Sequence, residues 1–403
     1  MRAILHIGTH KTGSSTIQLF LTTNHDALIR QRIFVSKKAS NRKVINQFRF
    51  CTAVCDQKEW ENHHFYKYAG NMAYLGGGFR EETYTKEIRK GILEEVAAEI
   101  REHEKRQRCD TVIFTCEWLD VASENDISRL REFLAPLFEE VQVLVYLRRQ
   151  PELLTSWYAQ MMKNGQGSGS FDDLLLWPDE AAFWNFHRLL QRWKKVFGKR
   201  HIMPRIFDRK AFVNGDLLDD FAFATGVDMA GLIRPECQNE SLSSDITEFL
   251  RLVNRYHPMP SPWQRNALQR QIRSHIYRTY EKTAKRKGYL LSRARAELIL
   301  KLFRDSNNRV AREYFWRNEL FDEDCSSYPE EIVPHELTLE RSVEIAAKLC
   351  ECWQDAQGRV QRDLDAKKNE LQDLHVKYKE IQEQYECLKR ATIEGCPKGE
   401  RAA

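Results

Sequence analysis

No part of this chain is apolar for long enough to cross a bilayer. A spanning helix needs about 20 mostly uncharged apolar residues, and no window comes near that in a chain of which 30% is charged. The first residues, MRAILHIGTHK, offer only Ala3 to Ile7 as an apolar core. That is too short for the centre of a secretory signal, and Gly, Lys and Ser follow where a small-residue cleavage site would stand. Clustered cysteine is missing: ten residues, an unremarkable number, are scattered along the chain, without the dense spacing of a secreted disulfide scaffold. Cys51/Cys55 and Cys350/Cys352 are close pairs, but no second Cys or His pair follows at zinc-finger spacing. A one-signed charge excess is also missing. The formal net charge of +5 falls well short of a dedicated nucleic-acid binder. These absences point to a cytoplasmic protein with reduced thiols, no transmembrane segment, no metal site and no nucleic-acid partner.

What is present is enough for a sizeable core. The 403 residues admit two or three folding units at about 150 residues each, or one large α/β domain with a helical appendage. Three short apolar runs bounded by turn or polar residues read as buried parallel strands: Ala3 to Ile7, Thr111 to Thr115 and Val141 to Leu147. Helical patterns at Thr85 to Glu104, Ser128 to Phe138 and Pro151 to Met162 alternate with them. That order predicts βαβ units and a parallel sheet covered on both faces. His201 to Phe207 is a fourth strand candidate, pushed to an edge by Pro204.

From Asp216 to about Cys350 the pattern is mostly helical, and its part from about 240 to 350 is basic. Residues 261 to 310 carry thirteen Lys or Arg against three acidic residues. Such a bias can attract an anion or line a solvated helix face. The last residues change character. Leu364, Leu371, Tyr378 and Tyr385 recur every seven positions, and Leu374, Ile381 and Leu388 stand three further on, with Lys367 at one seam site. This a/d pattern predicts a coiled-coil helix over 355–392, able to join two copies or to fold back on its own domain. Residues 393–403 are expected to be disordered.

The most informative segment is the first. Strand Ala3 to Ile7 runs into Gly8-Thr9-His10-Lys11-Thr12-Gly13-Ser14-Ser15-Thr16, after which Ile17, Phe20 and Leu21 have the spacing of a helix packed on a sheet. A strand, a glycine-bounded turn and a hydroxyl-rich helix start gather N–H groups and hydroxyls at the positive end of a helix dipole. That is a cradle for a phosphate. The spacing Gly8-x4-Gly13 matches the phosphate loop of nucleotide hydrolases, but Ser14 stands where those proteins place lysine. The loop's lysine is Lys11, which argues against an ordinary Mg-ATP site.

Here the sequence resembles the sulfotransferases that use 3'-phosphoadenosine 5'-phosphosulfate (PAPS). Their 5'-phosphosulfate loop reads approximately Pro-Lys-Ser/Thr-Gly-Thr-Thr, and His10-Lys11-Thr12-Gly13-Ser14-Ser15 matches it except that His10 replaces the proline. A second match follows: strand Val141 to Leu147 ends in Arg148-Arg149, and Ser156 stands on the next helix, the family's strand-Arg-x7-Ser spacing for the 3'-phosphate. The resemblance implies that Lys11, Thr12, Gly13, Ser14, Ser15 and Thr16 hold the phosphosulfate. It implies that Arg148 and Ser156 hold the 3'-phosphate, with Arg149 able to share that role. Cys116-Glu117-Trp118, closing the middle strand, is similar to the Ser-Ser-Glu of members that use a glutamate base. Glu117 is thus the implied base, or else a buried carboxylate paired with an arginine, and His10 is a second candidate for contact with the reactants.

Further likeness runs through Arg205 to Arg209 with Asp216 to Gly226, Asn239 to Leu242, and Ser306-Asn307-Asn308 with Ala311-Arg312-Glu313, so it covers roughly residues 1 to 345. Arg286-Lys287-Gly288 lacks the context of the family's 3'-phosphate motif. The implied fold is α/β, a P-loop-like three-layer sandwich with a central parallel sheet, a helical C-terminal half and a terminal coiled coil; the domain spans 1–350. The implied activity is transfer of a sulfuryl group from PAPS, without a metal, to a hydroxyl or amine of a glycan or glycolipid, with peripheral membrane contact open. Trp157, Tyr158, Trp177, Phe183, Trp184 and Phe186 can stack on a sugar or fill a core. The rival readings are a P-loop kinase or NTPase using Mg-ATP and a catalytically inactive coiled-coil interaction protein.

Overall fold

The computed structural model describes residues 1–40, 46–55, 86–107, 109–165, 167–175, 184–235, 242–256, 276, 290–332 and 337–394. Five parallel strands form one sheet in the order β2-β3-β1-β4-β5. They are β1 (Arg2–His6), β2 (Ile33–Phe34), β3 (Thr111–Thr115), β4 (Glu140–Leu147) and β5 (Ile202–Ile206). β1 lies between β3 and β4, with Leu5 opposite Phe114 on one side and Val143 on the other. β3 coincides with the sequence reading residue for residue. Pro204 lies on β5 at the sheet edge, as expected, while His201 closes the 3-10 turn before it. β2 was not foreseen, because two residues carry no periodicity.

The strands are apolar because both faces are covered. Ile4, Ile113, Leu144 and Tyr146 pack with Ile17, Phe20 and Leu21 of α1 (Ser14–Thr23), Leu28 of α2 (His25–Arg30) and Phe221 of α9 (Leu217–Thr225). On the opposite parity, Phe114 stacks on Phe50 of α3 (Phe48–Val54) at 4.8 Å and meets Phe138 edge-on. α4 (Lys86–Gln107) packs on α3. α5 spans Glu124–Leu134, a full turn earlier than the apolar pattern predicts, because Ser123 and Asp126 close a capping box. α6 (Gln150–Asn164) carries Pro151 in its first turn and ends at Gly165 in the left-handed region.

The short α7 (Phe171–Leu175) precedes α8 (Phe186–Phe197), and α10 (Ser244–Tyr256) packs on α6. α11 (Arg293–Phe315) braces the start of α6: Asn307 and Gln150 exchange amide hydrogen bonds at 2.9 and 3.0 Å in a buried pocket. Six residues on, Glu313 accepts from Gln191 and Lys194 of α8 at 3.0 and 2.6 Å. The Ser306 to Glu313 block thus holds helices together beneath the end of β4. Asp220 does the same for α9, accepting from Tyr146 at 2.8 Å and from Arg205 through a fork of two bonds.

The described residues from 216 to 350 are mostly helical, as expected, with a break between α11 and Thr338 where the described residues contain no helix. α12 (Leu339–Glu394) is a continuous 56-residue helix and belongs to a unit of its own, residues 339–403, separate from the unit 1–338. It begins before the position 355 expected for it. Residues 395–403 and most of the basic run at 261–310 lie outside the described residues, as do Arg286-Lys287-Gly288, Trp177, Phe183 and Asn239 to Ser241.

Asn307→Ala removes both amide bonds from buried Gln150, whose Nε2 keeps only the longer bond to the Trp184 carbonyl at 3.4 Å. Urea denaturation should show a loss of about 1–3 kcal/mol, whereas Asn308→Ala on the same helix should stay within about 0.5 kcal/mol.

Candidate active site

The order of the strands decides where a site can form. The chain leaves β1 for β2 on the β3 side of the sheet and later passes from β3 across β1 to β4, so the order reverses at β1 and a crevice opens beyond its carboxyl end. The segment Gly8 to Gly13 occupies that place. β1's ladder continues into it, with Tyr146 N–H donating to the Gly8 carbonyl at 2.7 Å and Thr9 N–H to the Tyr146 carbonyl at 3.2 Å. Gly8, at φ 100°, passes over the start of the 3-10 turn Glu117–Val121, and a Cβ there would lie 3.0 Å from Glu117 Cα. The Thr12 hydroxyl closes the turn on the Thr9 carbonyl. Gly13, at φ 77°, caps α1 in the left-handed region with no side-chain bond to its first amides. Ser15 is exposed, Thr16 half-buried, and Ser14 and Thr12 are buried.

Lys11 sits at the apex with φ 64°. Its Nζ donates to Gln160 Oε1 of α6 at 3.3 Å. Burial, with the charges of Lys163 and Arg148, brings its pKa down to about 8 against a partial opposing pull from Glu117. Arg148, the first residue past β4, donates from Nη1 to the Lys11 carbonyl at 2.8 Å, and its guanidinium lies 5.4 Å from the Phe207 ring centre. Its pKa too is lowered by burial. Arg149 points elsewhere: it donates to the Asp322 and Asp324 carbonyls at 2.7 and 2.8 Å and to Glu152 at 2.5 Å. The structure therefore brings Arg148, and not Arg149, to the loop. Ser156 stands half-buried on α6, one turn before Gln160.

Glu117 accepts from Gln18 Nε2 of α1 at 2.7 Å, so its partner is an amide and not the arginine of the alternative reading. Its charge reaches both Lys11 and His10. His10 is buried, with Nδ1 2.8 Å from Asp120 Oδ2 and its own N–H donating to the same oxygen at 3.1 Å. Burial works to lower the His10 pKa, but the charge and hydrogen bond of Asp120, with Glu117, override it and the pKa is raised. Trp118 and Trp157 meet its ring edge-on at 4.8 and 5.5 Å. His6, by contrast, is core: it sits 2.9 Å from Thr115 Oγ1 between Tyr146 and Phe221, and burial lowers its pKa to about 3. Trp157, Tyr158, Trp184 and Phe186 are buried, the placement expected of core residues.

Gln18, Asp120, Gln160 and Lys163 were missed from the sequence. A signal existed for two of them: Gln160 and Lys163 follow Ser156 at the four- and seven-residue offsets of one helix face. Among the described residues, no three His, Cys, Asp or Glu side chains gather as a metal site. No described helix is long and apolar enough to cross a membrane.

No family model matches the sequence. An uncharacterized protein of Archaeoglobus fulgidus is 29% identical over 231 residues, which are 55% of this chain and 59% of that protein. The match thus spans less than two thirds of the relative's length. Among solved structures, a sulfotransferase from Alicyclobacillus acidocaldarius aligns with 66% of this chain and 98% of its own at 14% identity and a TM-score of 0.37. Likeness of that degree carries no functional argument, so the chemistry rests on the side chains.

Gly8→Ala should lower stability by about 1–3 kcal/mol through strain and contact with the Glu117 backbone. Gly91→Ala, in open space on α4, should raise it by about 0.5–1 kcal/mol. Denaturation midpoints of the two variants moving in the same direction would contradict this account of the loop.

Proposed function

We propose that the protein transfers a sulfuryl group from PAPS to an acceptor hydroxyl, with a carbohydrate or glycolipid as the acceptor class. The observation that carries the reading is the meeting of Lys11 and Arg148 at the carboxyl end of the sheet, in contact through the Lys11 carbonyl. Among the described residues neither forms an ion pair with a carboxylate. Two half-buried cations so placed create a field that suits a ligand with two separated anionic groups. The start of α1, where Gly13 offers no side-chain cap, and the side-chain-free passage at Gly8 suit a phosphate held close to the backbone. In this reading the sheet is the middle layer of a P-loop-like three-layer sandwich.

The residues divide the work by their chemistry. Lys11 and the start of α1 take the 5'-phosphosulfate, and Arg148 with Ser156 takes the 3'-phosphate. As the bond from sulfur to the phosphate oxygen breaks and the bond from sulfur to the acceptor oxygen forms, Lys11 neutralises the charge growing on the departing phosphate. Glu117, aimed by Gln18, accepts the acceptor's proton. His10, fixed by Asp120, shapes the wall beside Lys11.

In thermal-shift measurements, adenosine 3',5'-bisphosphate in EDTA should stabilise the protein, and Lys11→Ala should weaken that binding by about 10- to 100-fold, the worth of one charged hydrogen bond. Stabilisation by Mg-ATP alone would overturn the donor assignment. Binding should also depend on pH in a stated direction. The ammonium is the form that holds the anion, and its pKa in the free protein is about 8, so affinity is full below that pH. It should fall by up to about tenfold per unit above it, and the slope should vanish in Lys11→Ala. Glu117→Gln should keep nucleotide affinity within about twofold while sulfuryl transfer drops by about 10²- to 10⁴-fold.

A further inference from the structure

We propose that α12 pairs with α12 of a second copy of this chain as a parallel, in-register, two-stranded coiled coil. The heptads that the sequence places after Leu364 extend backward over the helix. Their a positions continue through Cys350 and Val343, and their d positions through Val360 and Trp353. The large apolar side chains of this seam lie open: Leu371 is 69% exposed, Leu374 64%, Ile381 62% and Tyr385 63%. Helices draw most of their stability from burying such a stripe, and a period of seven residues winds two helices into a left-handed pair.

Charge selects a second copy, side by side and in the same direction, as the occupant. In that arrangement each g position faces the e position five residues on in the other helix. Asp363 then meets Lys368 of the second copy, and Glu370 meets His375 of the second copy; no like-charged pair arises at any heptad. The flanking positions further up, such as Ser342 with Ala347 and Ala356 with Gln361, carry no charge to oppose it. Gln357 at an a position and Lys367 at a d position are polar groups in the seam, and such groups fix register at some cost in stability. Cys350, an exposed free cysteine at an a position, lies opposite Cys350 of the second copy in this register and in no antiparallel one, where the two would stand at opposite ends of the seam.

The test uses the full-length chain with Cys237, Cys352, Cys387 and Cys396 replaced by serine. Light scattering at tens of micromolar should give about twice the chain mass of 47.6 kDa, and a short bismaleimide should join the protein into a covalent dimer that Cys350→Ser abolishes. Leu371→Lys with Leu374→Lys should return it to the mass of one chain. A monomer in the parent protein overturns the pairing. A dimer that fails to cross-link at Cys350 overturns the parallel register, and a dimer that survives both lysines overturns the seam. Nucleotide binding is read separately, so each of these results is distinct from a failure of the proposed activity.

Discussion

The hydrogen bond from Arg148 to the Lys11 carbonyl ties the end of β4 to the apex of the loop that follows β1. Much of the site's form follows from it. A lysine in the left-handed region is an unfavourable backbone for a residue with a Cβ, and the bond to its carbonyl helps hold that conformation. The same bond keeps the guanidinium beside the loop and over Phe207. Beneath it, the position of β4 is set by β1 on one side and by the Asn307–Gln150 pair at the first turn of α6. Packing remote from the crevice thus fixes the distance between two cations within it.

That crowding has an electrostatic cost. Desolvation lowers the Lys11 pKa most, and the like charges of Lys163 and Arg148 add to the penalty, which is why it lies near 8. A site that is electrostatically strained when empty is relieved by an anion, so binding energy and local stability become linked. Glu117 moderates the field, and Gln18 holds that carboxylate without neutralising it. The His10–Asp120 pair adds a rigid flank, with Arg192 donating to the Asp120 carbonyl at 2.7 Å behind it.

The sheet and the loop were legible in the sequence because their physics is local. β3 is a continuous apolar run between polar ends, and the Gly8 to Thr16 segment announces its backbone through two glycines. Arg148 and Arg149 are adjacent in the chain and could not be told apart by residue type. Strand alternation separates them, since Arg148 continues the face of Leu144 and Tyr146 while Arg149 turns to the 322–325 segment. The start of α5 was also written in the sequence, in Ser123 and Asp126, but the apolar pattern drew the boundary later. β2 left no signal, and Gln18 and Asp120 owe their places to contacts across the fold that no spacing encodes.

The central claim is that Arg148 serves the second anionic group of a nucleotide whose first is held at Lys11. Calorimetry comparing adenosine 3',5'-bisphosphate with adenosine 5'-phosphate on the unmodified protein and on Arg148→Ala tests it most directly. The account predicts at least about a tenfold preference for the bisphosphate, from a charged hydrogen bond, and its loss in the variant. Equal affinity for the two nucleotides in the unmodified protein, or a preference that survives in Arg148→Ala, would contradict it.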